Sequence, residues 1–205
     1  MPIAQQINGA LRRVPVWAVY LVGALPPLWY FWLGLTGALG PEPITALERE
    51  LGLLGLKMLI VVLAVTPLRK ATGLNLLRFR RALGLLVFYY ILWHLSVWLL
   101  LDIRDPGRIW ADIVKRPYIT IGMLGFVALV PLAVTSNNLS LRKMGAAAWR
   151  RLHKLTYAAA VLGGLHFVML VKGWQIRPLV YLGIVLLLLA LRIRPARRRA
   201  VATSA

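Results

Sequence analysis

The sequence predicts an all-α integral membrane protein, a six-helix bundle with both termini in the cytoplasm. Hydrophobic residues make up 60% of the 205 residues and the mean hydropathy is +0.74, which is more apolar than a soluble domain of this length. These residues form long runs, and a bilayer core of roughly 30 Å needs about 20 apolar residues in a helix. Charged residues separate the runs. We therefore predict a single transmembrane domain over residues 1–205.

The first apolar run, "VPVWAVYLVGALPPLWYFWLGLTG", is predicted to be a membrane span. It is too long for the core of a signal peptide, and no small-residue cleavage site plainly follows it. We therefore expect it to remain in the protein as the first helix of the bundle.

Five further runs are apolar enough to follow as spans two to six. The second run carries a single charge, Lys57, while the third and fifth carry all three histidines of the chain. Short loops join the runs, and neither an internal repeat nor a second domain is evident. The six predicted spans cover residues 15–37, 52–68, 83–101, 118–135, 152–171 and 178–193.

The distribution of charge predicts the orientation. Cytoplasmic loops of membrane proteins carry an excess of Lys and Arg. In this chain 17 of the 25 basic residues fall in the two tails and in the loops after spans two and four, whereas all six acidic residues fall on the other side. One group of arginines recurs below, and we call it the basic cluster: Arg78, Arg80, Arg81, Arg150 and Arg151.

Composition also excludes several classes of function. Cysteine is absent, so disulfides, a thiol nucleophile and thiolate-bound metal clusters are excluded. The formal net charge is +19, but the charges lie between apolar runs and not on one soluble face, which argues against nucleic-acid binding. We expect membrane lipid, and no nucleic acid, as a partner.

Two histidines are predicted to lie level with each other in the outer half of the bilayer. His94 lies thirteen residues after Arg81 and His166 lies fifteen after Arg151, and spans three and five run in the same direction. At about 1.5 Å per residue, each imidazole lies about 20 Å above the basic cluster. Two level, facing imidazoles can ligate one heme iron from both sides, an arrangement suited to electron transfer. We therefore predict His94 and His166 as metal ligands.

His153 lies near the inner end of span five, about 20 Å below His166 by the same helical rise. That distance would hold a second heme in the inner leaflet, but span three offers Phe79, Arg80 and Arg81 at the matching depth instead of a histidine. We predict His153 as a metal ligand too, and a second heme held by it would be five-coordinate, take an unusual ligand or share the site differently. Thirteen residues also place the two histidines about 140° apart around an ideal helix.

Lys57 and Arg81 are candidate partners for an anionic group of a cofactor, such as a heme propionate or a flavin phosphate. The alternative for Lys57 is that its ammonium group snorkels to the outer membrane surface. The alternative for Arg81 and its neighbours in the basic cluster is that they only determine topology.

At this point the histidine pattern resembles the ferric reductase–NADPH oxidase transmembrane superfamily, whose members carry two histidines on each of two helices and stack two b hemes across the membrane. This sequence has the pair on the fifth span, His153 and His166, but one partner on the third, His94. The reduced pattern is similar to the MsrQ (YedZ) family of heme-binding membrane subunits. The supporting segments are "LK" (56–57), "TPL" (66–68), "RRALGL" (80–85), "RPYITIG" (116–122), "TS" (135–136) and "WRRLHKLTY" (149–157).

This resemblance implies one or two b hemes and a place in the bacterial inner membrane. It also implies an electron-transfer subunit and not a catalytic one, with a quinol or a flavin reductase as donor. The implied acceptor is a periplasmic molybdopterin enzyme of the MsrP type, which repairs oxidised methionines. FMN is associated with the family, but no flavin motif is recognisable here. The outer loops 38–51, 102–117 and 172–177 are candidate docking surfaces.

Two other classes of function stay open at this point. One is a membrane transporter or scaffold whose histidines are structural or relay protons, although Pro26-Pro27 and Pro131 do not form the matched helix breaks of a repeat transporter. The other is a self-sufficient metal reductase, against which the short segment after span six argues, because it leaves no room for a flavin and NADPH domain.

Overall fold

The computed structural model describes residues 2–171 and 173–192, and every regular element in them is a helix. A 3-10 turn (Leu77–Phe79) precedes α4, and a π-helical turn (Trp98–Ile103) continues it. In chain order the helices are α1 (Pro2–Arg13), α2 (Val16–Leu35), α3 (Pro43–Thr72), α4 (Arg80–Val97), α5 (Pro106–Lys115), α6 (Pro117–Val134), α7 (Asn138–Leu152), α8 (Leu155–Leu170) and α9 (Ile176–Ala190).

Six of these helices are apolar, and they fall where the six spans were predicted. Helices α2, α3 and α6, together with α4 and its two flanking turns, are long and apolar enough to cross a membrane, while α8 and α9 are shorter, with 16 and 15 residues. The predicted all-α class is therefore confirmed. Six crossings and cytoplasmic termini stay predictions, since residues 193–205, including Arg194, Arg197, Arg198 and Arg199, lie outside the described residues.

Helix α3 extends much further than predicted. It begins at Pro43 and not at residue 52, and its 30 residues make it about 45 Å long. The segment before residue 52 contains Glu48, Arg49 and Glu50, which lower its hydropathy without disfavouring a helix. Lys57 consequently lies near the middle of α3. The predicted span 52–68 had placed it about one turn from the outer end of the helix.

Three short helices lie in segments that were predicted as loops or tail. Helices α1 and α5 are amphipathic, and α5 presents Trp110 and Val114, exposed to 70% and 64%, on one face. The Asp105 side chain caps α5 by accepting a hydrogen bond from the Arg108 amide (2.8 Å). Helix α7 is bent at Gly145, whose φ of 76° lies in the left-handed region that favours glycine.

The bundle packs around its central helices. Helix α3 packs most extensively on α4, and α6 on α8, while α9 covers α8 and α3. The main core contains Leu56, Leu59, Val62, Leu63, Val87, Leu129, Leu132, Ala159, Ala160 and Val185. Helix α2 is peripheral, with Pro27 as its one buried residue and Trp17, Trp29 and Trp32 each about 60% exposed. An apolar surface of this kind is expected of a helix that faces lipid.

Two backbone carbonyls that prolines leave without a helical donor are satisfied from other helices. A proline cannot donate to the carbonyl four residues before it, so Pro27 frees Gly23 and Pro67 frees Leu63. The Tyr90 hydroxyl of α4 donates to the Gly23 carbonyl at 2.6 Å. The Arg192 guanidinium, just after α9, donates to the Leu63 carbonyl. In a membrane such groups must be satisfied within the protein, so these bonds fasten α2 and α9 to the centre of the bundle.

Candidate functional site

The structure brings His94 of α4 and His166 of α8 together. Their ring centroids are 6.2 Å apart and the ring planes are inclined by 74°. With a metal–imidazole bond of about 2.1 Å and a ring centre about 1.1 Å behind the ligating atom, imidazoles on opposite sides of one metal would have centroids about 6.4 Å apart. The observed separation fits a metal held between the two rings.

Each of the two rings is hydrogen-bonded through Nδ1. His94 Nδ1 lies 2.9 Å from the Glu48 carbonyl oxygen, and His166 Nδ1 lies 2.7 Å from that of Tyr118. Because a carbonyl can only accept, Nδ1 must carry the proton in both rings. Within the described residues Nε2 has no hydrogen-bond partner in either ring, so its lone pair is available. Such a bond on the far nitrogen is how proteins fix the tautomer of a metal-ligating histidine.

Both histidines line a cavity of about 840 Å³. We call it the outer cavity, because the two histidines were predicted to lie in the outer half of the bilayer. This volume lies within the roughly 300–1,000 Å³ range of ligand and cofactor pockets. Its apolar wall includes Leu56, Ile91, Trp98, Phe126 and Phe167. No group of three or more His, Cys, Asp or Glu side chains that could hold a metal ion is found in residues 2–171 and 173–192, so the paired imidazoles are a two-ligand site. Two neutral nitrogens in an apolar cavity fit a heme iron better than a zinc ion.

The charged part of the lining of the outer cavity, which we call its mouth, comes from all three outer segments. Glu48 and Arg49 come from the first part of α3, Asp102 and Arg116 from either side of α5, and Arg177 from the start of α9. Arg116 also forms an ion pair with Asp112, with Nε and Oδ1 3.2 Å apart. The segments 38–51, 102–117 and 172–177, named above as candidate docking surfaces, therefore meet at one opening.

His153 lies in a second, inner cavity of about 810 Å³. His153 caps the C-terminus of α7, and α8 begins only at Leu155. The angle of about 140° between His153 and His166, which assumes one continuous helix, therefore does not apply. The His153 ring stacks on Trp149 with centroids 3.6 Å apart, and its Nδ1 donates to the Trp149 carbonyl at 3.0 Å. Its Nε2 lies 3.5 Å from the Ser136 hydroxyl. His153 is the one histidine among the described residues that line this cavity.

The inner cavity is strongly cationic. Five basic side chains line it and no acidic one among the described residues does. They are Arg78, Arg80, Arg81, Arg150 and Lys154. Arg81 is exposed and donates to the Asn138 side chain at 2.8 Å. The basic cluster, apart from Arg151, therefore surrounds an opening of the size of a cofactor.

Apolar side chains connect the linings of the two cavities. Leu59 and Leu129 line both of them. Phe88 of the inner cavity stacks on Phe126 of the outer one, with ring centroids 5.8 Å apart and planes inclined by 16°. The two cavities therefore lie one above the other along the bundle, as the depths of His153 and His166 had indicated.

Lys57 does not lie with the other predicted site residues. It is exposed on α3 and lines neither cavity. The structure thus places Arg81 at a cavity wall but leaves Lys57 outside both.

Sequence reasoning missed four residues that shape the histidine pair. The carbonyls of Glu48 and Tyr118 accept the Nδ1 protons, and Gly52 and Gly122 lie directly against the rings. Both glycines lie within predicted spans, and each is followed by another glycine three residues later. This repeated spacing was the one feature of the sequence that could have drawn attention to them. Their partners became visible only once the helices were packed.

Comparison with known proteins gives two consistent findings. Residues 51–164 match the family model described as "Ferric reductase like transmembrane component". Over 185 residues, covering 89% of this chain and 84% of each relative, the chain is 50% identical to a Brucella anthropi protein and 49% identical to proteins of Brucella ovis and Brucella canis. All three carry the name "Protein-methionine-sulfoxide reductase heme-binding subunit MsrQ".

Proposed function

The chain belongs to the ferric reductase-like transmembrane family and, within it, to the MsrQ heme-binding subunits of protein-methionine-sulfoxide reductase. From this premise we propose that His94 and His166 hold a heme b that relays electrons to a periplasmic reductase. The observation that carries the proposal is the pair of imidazoles whose centroids are 6.2 Å apart, with no hydrogen-bond partner for either Nε2 among the residues that the structure describes. A heme in that position supplies one-electron transfer.

The protein around the pair supports electron transfer and not oxygen chemistry. With both His94 and His166 as ligands, a heme iron would have no coordination position left for oxygen. The backbone carbonyls hold both rings in one tautomer and orientation, so little rearrangement is needed when the charge of the site changes. Apolar side chains such as Ile91 and Phe167 line the cavity beside the rings.

Electrons are proposed to enter the protein at the inner cavity. Its five basic side chains suit an anionic or electron-rich donor group, either a quinol or the flavin of a cytoplasmic reductase. FMN or a second heme beside His153 would fit the volume and the charge of this cavity. In that case His153 would supply one ligand through Nε2, while Arg80 and Arg81 would pair with phosphate or propionate groups.

The mouth of the outer cavity is the proposed exit side, in the bacterial inner membrane with the mouth facing the periplasm. It presents both carboxylates and guanidinium groups, which suit a polar, transient contact with a soluble partner. The partner would be a molybdopterin reductase of the MsrP type. Reduction of a methionine sulfoxide consumes two electrons and two protons and yields the thioether and water, so two successive one-electron transfers serve one repair.

Spectroscopy of purified variants tests the heme site. The wild type should show a reduced b-type spectrum with low-spin paramagnetic resonance signals when oxidised, and His94→Ala or His166→Ala should lose most of the bound heme per protein. Ser96→Ala is a matched control on the same helix, since Ser96 bonds to its own helix at the Leu92 carbonyl and does not line the cavity. A wild type free of heme from heme-replete cells would favour a scaffold or transporter instead.

Reconstitution tests the direction of transfer. In vesicles, the reduced protein should be reoxidised when the periplasmic reductase and a methionine sulfoxide peptide are added together. It should not be reoxidised when either is added alone. Supplying a quinol or a reduced flavin on the inner side should distinguish the two donors. Reoxidation by the peptide without the reductase would contradict the proposed role as a relay.

A further inference from the structure

We propose that Gly52 of α3 and Gly122 of α6 are positioning residues for the two imidazoles, because each keeps open the backbone carbonyl to which a histidine is bonded. The proposal rests on the heme site proposed above. It concerns two carbonyl–glycine pairs, Glu48–Gly52 and Tyr118–Gly122, which have the same spacing on two different helices.

The first pair faces His94. The ring bonds to the Glu48 carbonyl through Nδ1 at 2.9 Å. A β-carbon added at Gly52 would lie 3.0 Å from Nδ1 and 3.1 Å from Cε1 of the same ring. Those separations are shorter than ordinary van der Waals contact, so alanine at this position would press on the edge of the ring that carries the hydrogen bond.

The second pair repeats this arrangement at His166. The ring bonds to the Tyr118 carbonyl through Nδ1 at 2.7 Å. A β-carbon added at Gly122 would lie 2.8 Å from Nδ1 and 3.0 Å from Cε1. The contact is closer than at Gly52, so the effect of a methyl group should be larger here.

Helix geometry explains why glycine stands four residues after the carbonyl in both cases. In an α-helix the carbonyl of residue i accepts from the amide of residue i+4, which uses one of its two lone pairs. The β-carbon of residue i+4 tilts toward the N-terminus and covers the surface beside that carbonyl. Without it, a ring from a neighbouring helix can approach the second lone pair. The glycine therefore lets the histidine ring reach the carbonyl that accepts its hydrogen bond, and this bond fixes the position of the ring.

The first experiment compares Gly52→Ala and Gly122→Ala with Gly183→Ala, a helical glycine of α9 that lines neither cavity. A β-carbon at Gly183 would meet no other atom within 4 Å, so this control tests the cost of the substitution itself. Loss of an outer-shell bond to a metal ligand lowers metal affinity about 10- to 100-fold. Gly122→Ala should therefore lose most of its low-spin heme, and Gly52→Ala should lose heme or shift its low-spin g-values, while Gly183→Ala keeps the wild-type signal.

A double mutant separates positioning from folding. If Gly52 acts through His94, Gly52→Ala should cause no further loss of thermal stability in a His94→Ala background, because the shortened side chain no longer meets the methyl group. An equal additional loss in both backgrounds would show that the glycine serves only helix packing, and would overturn the proposal.

The outcomes also distinguish this inference from the proposed function. Wild-type heme content and g-values in both Gly52→Ala and Gly122→Ala, with heme lost in His94→Ala, would refute the positioning role and leave the heme site intact. Retention of low-spin heme in His94→Ala would refute the heme site itself, and with it the role of both glycines.

Discussion

Replacing Tyr90 by phenylalanine removes the hydroxyl that satisfies the carbonyl freed by Pro27. Tyr90 is 1% exposed and its oxygen lies 2.6 Å from the Gly23 carbonyl, so no solvent can take over the bond. The aromatic ring stays, so packing is kept and only the hydrogen bond is lost. Interhelical hydrogen bonds in membrane proteins contribute about 0.6–2 kcal/mol, and a buried acceptor left without a donor costs about 1–3 kcal/mol. We expect Tyr90→Phe to destabilise the fold by about 1–2 kcal/mol.

The neighbouring Tyr89 provides the control. Its hydroxyl lies 3.4 Å from the Ala24 carbonyl, which is a longer bond to an acceptor that no proline has freed. Tyr89→Phe should therefore cost less than about 0.5 kcal/mol. The assay is unfolding of the detergent-solubilised protein by heat or by denaturing detergent, followed by helical circular dichroism.

A double mutant tests the role of the proline directly. Pro27→Ala supplies an amide hydrogen that can donate to the Gly23 carbonyl within α2, so the hydroxyl of Tyr90 should no longer be needed. In that background Tyr90→Phe should cost less than about 0.5 kcal/mol, a coupling of about 1 kcal/mol. The reasoning fails if the cost is the same with proline and with alanine at position 27, or if Tyr90→Phe and Tyr89→Phe are equally mild.

Three further predictions concern the site and the topology. His153→Ala should leave the low-spin signal of the His94–His166 heme largely unchanged, because His153 lies in the other cavity; loss of that signal, measured by paramagnetic resonance in membranes, would refute the ligand assignment. Lys57→Met should keep the wild-type heme content by pyridine hemochrome assay, since Lys57 lines neither cavity, and a large loss would instead indicate pairing with a propionate. A reporter fused after Ala205 should be active in the cytoplasm and one inserted in loop 102–117 in the periplasm, and the opposite pattern would reverse the direction of electron flow.

The positions of His94 and His166 were predictable because a helix rises by a constant amount per residue. Both predicted spans begin at the basic cluster and run in the same direction, so counting residues from Arg81 and Arg151 gave their relative depth. That the two rings also lie close together depends on how α4 and α8 are rotated against α3 and α6. Depth counting carries no information on this rotation.

Other features could not be obtained from single-sequence patterns. A search for runs of about 20 apolar residues passes over α5 and α7, whose charged faces lower their mean hydropathy. It also begins α3 too late, which gave Lys57 the wrong position along its helix. Gly52 and Gly122 look like ordinary glycines of a membrane span until the histidines of other helices are placed against them.

The apolar contacts between the two cavities also have a consequence for the membrane potential. Leu59, Leu129 and the stacked rings of Phe88 and Phe126 offer no polar side chain to a chain of water molecules. Electrons can tunnel through apolar side chains, whereas protons and ions need a hydrated path. In the proposed orientation each electron that moves outward leaves the negative side of the membrane and gains about 2.3 kcal/mol per 100 mV for the full crossing. Under the proposed relay, the potential would favour delivery of electrons to the periplasm, and apolar contacts between the cavities would allow this flow without dissipating the proton gradient.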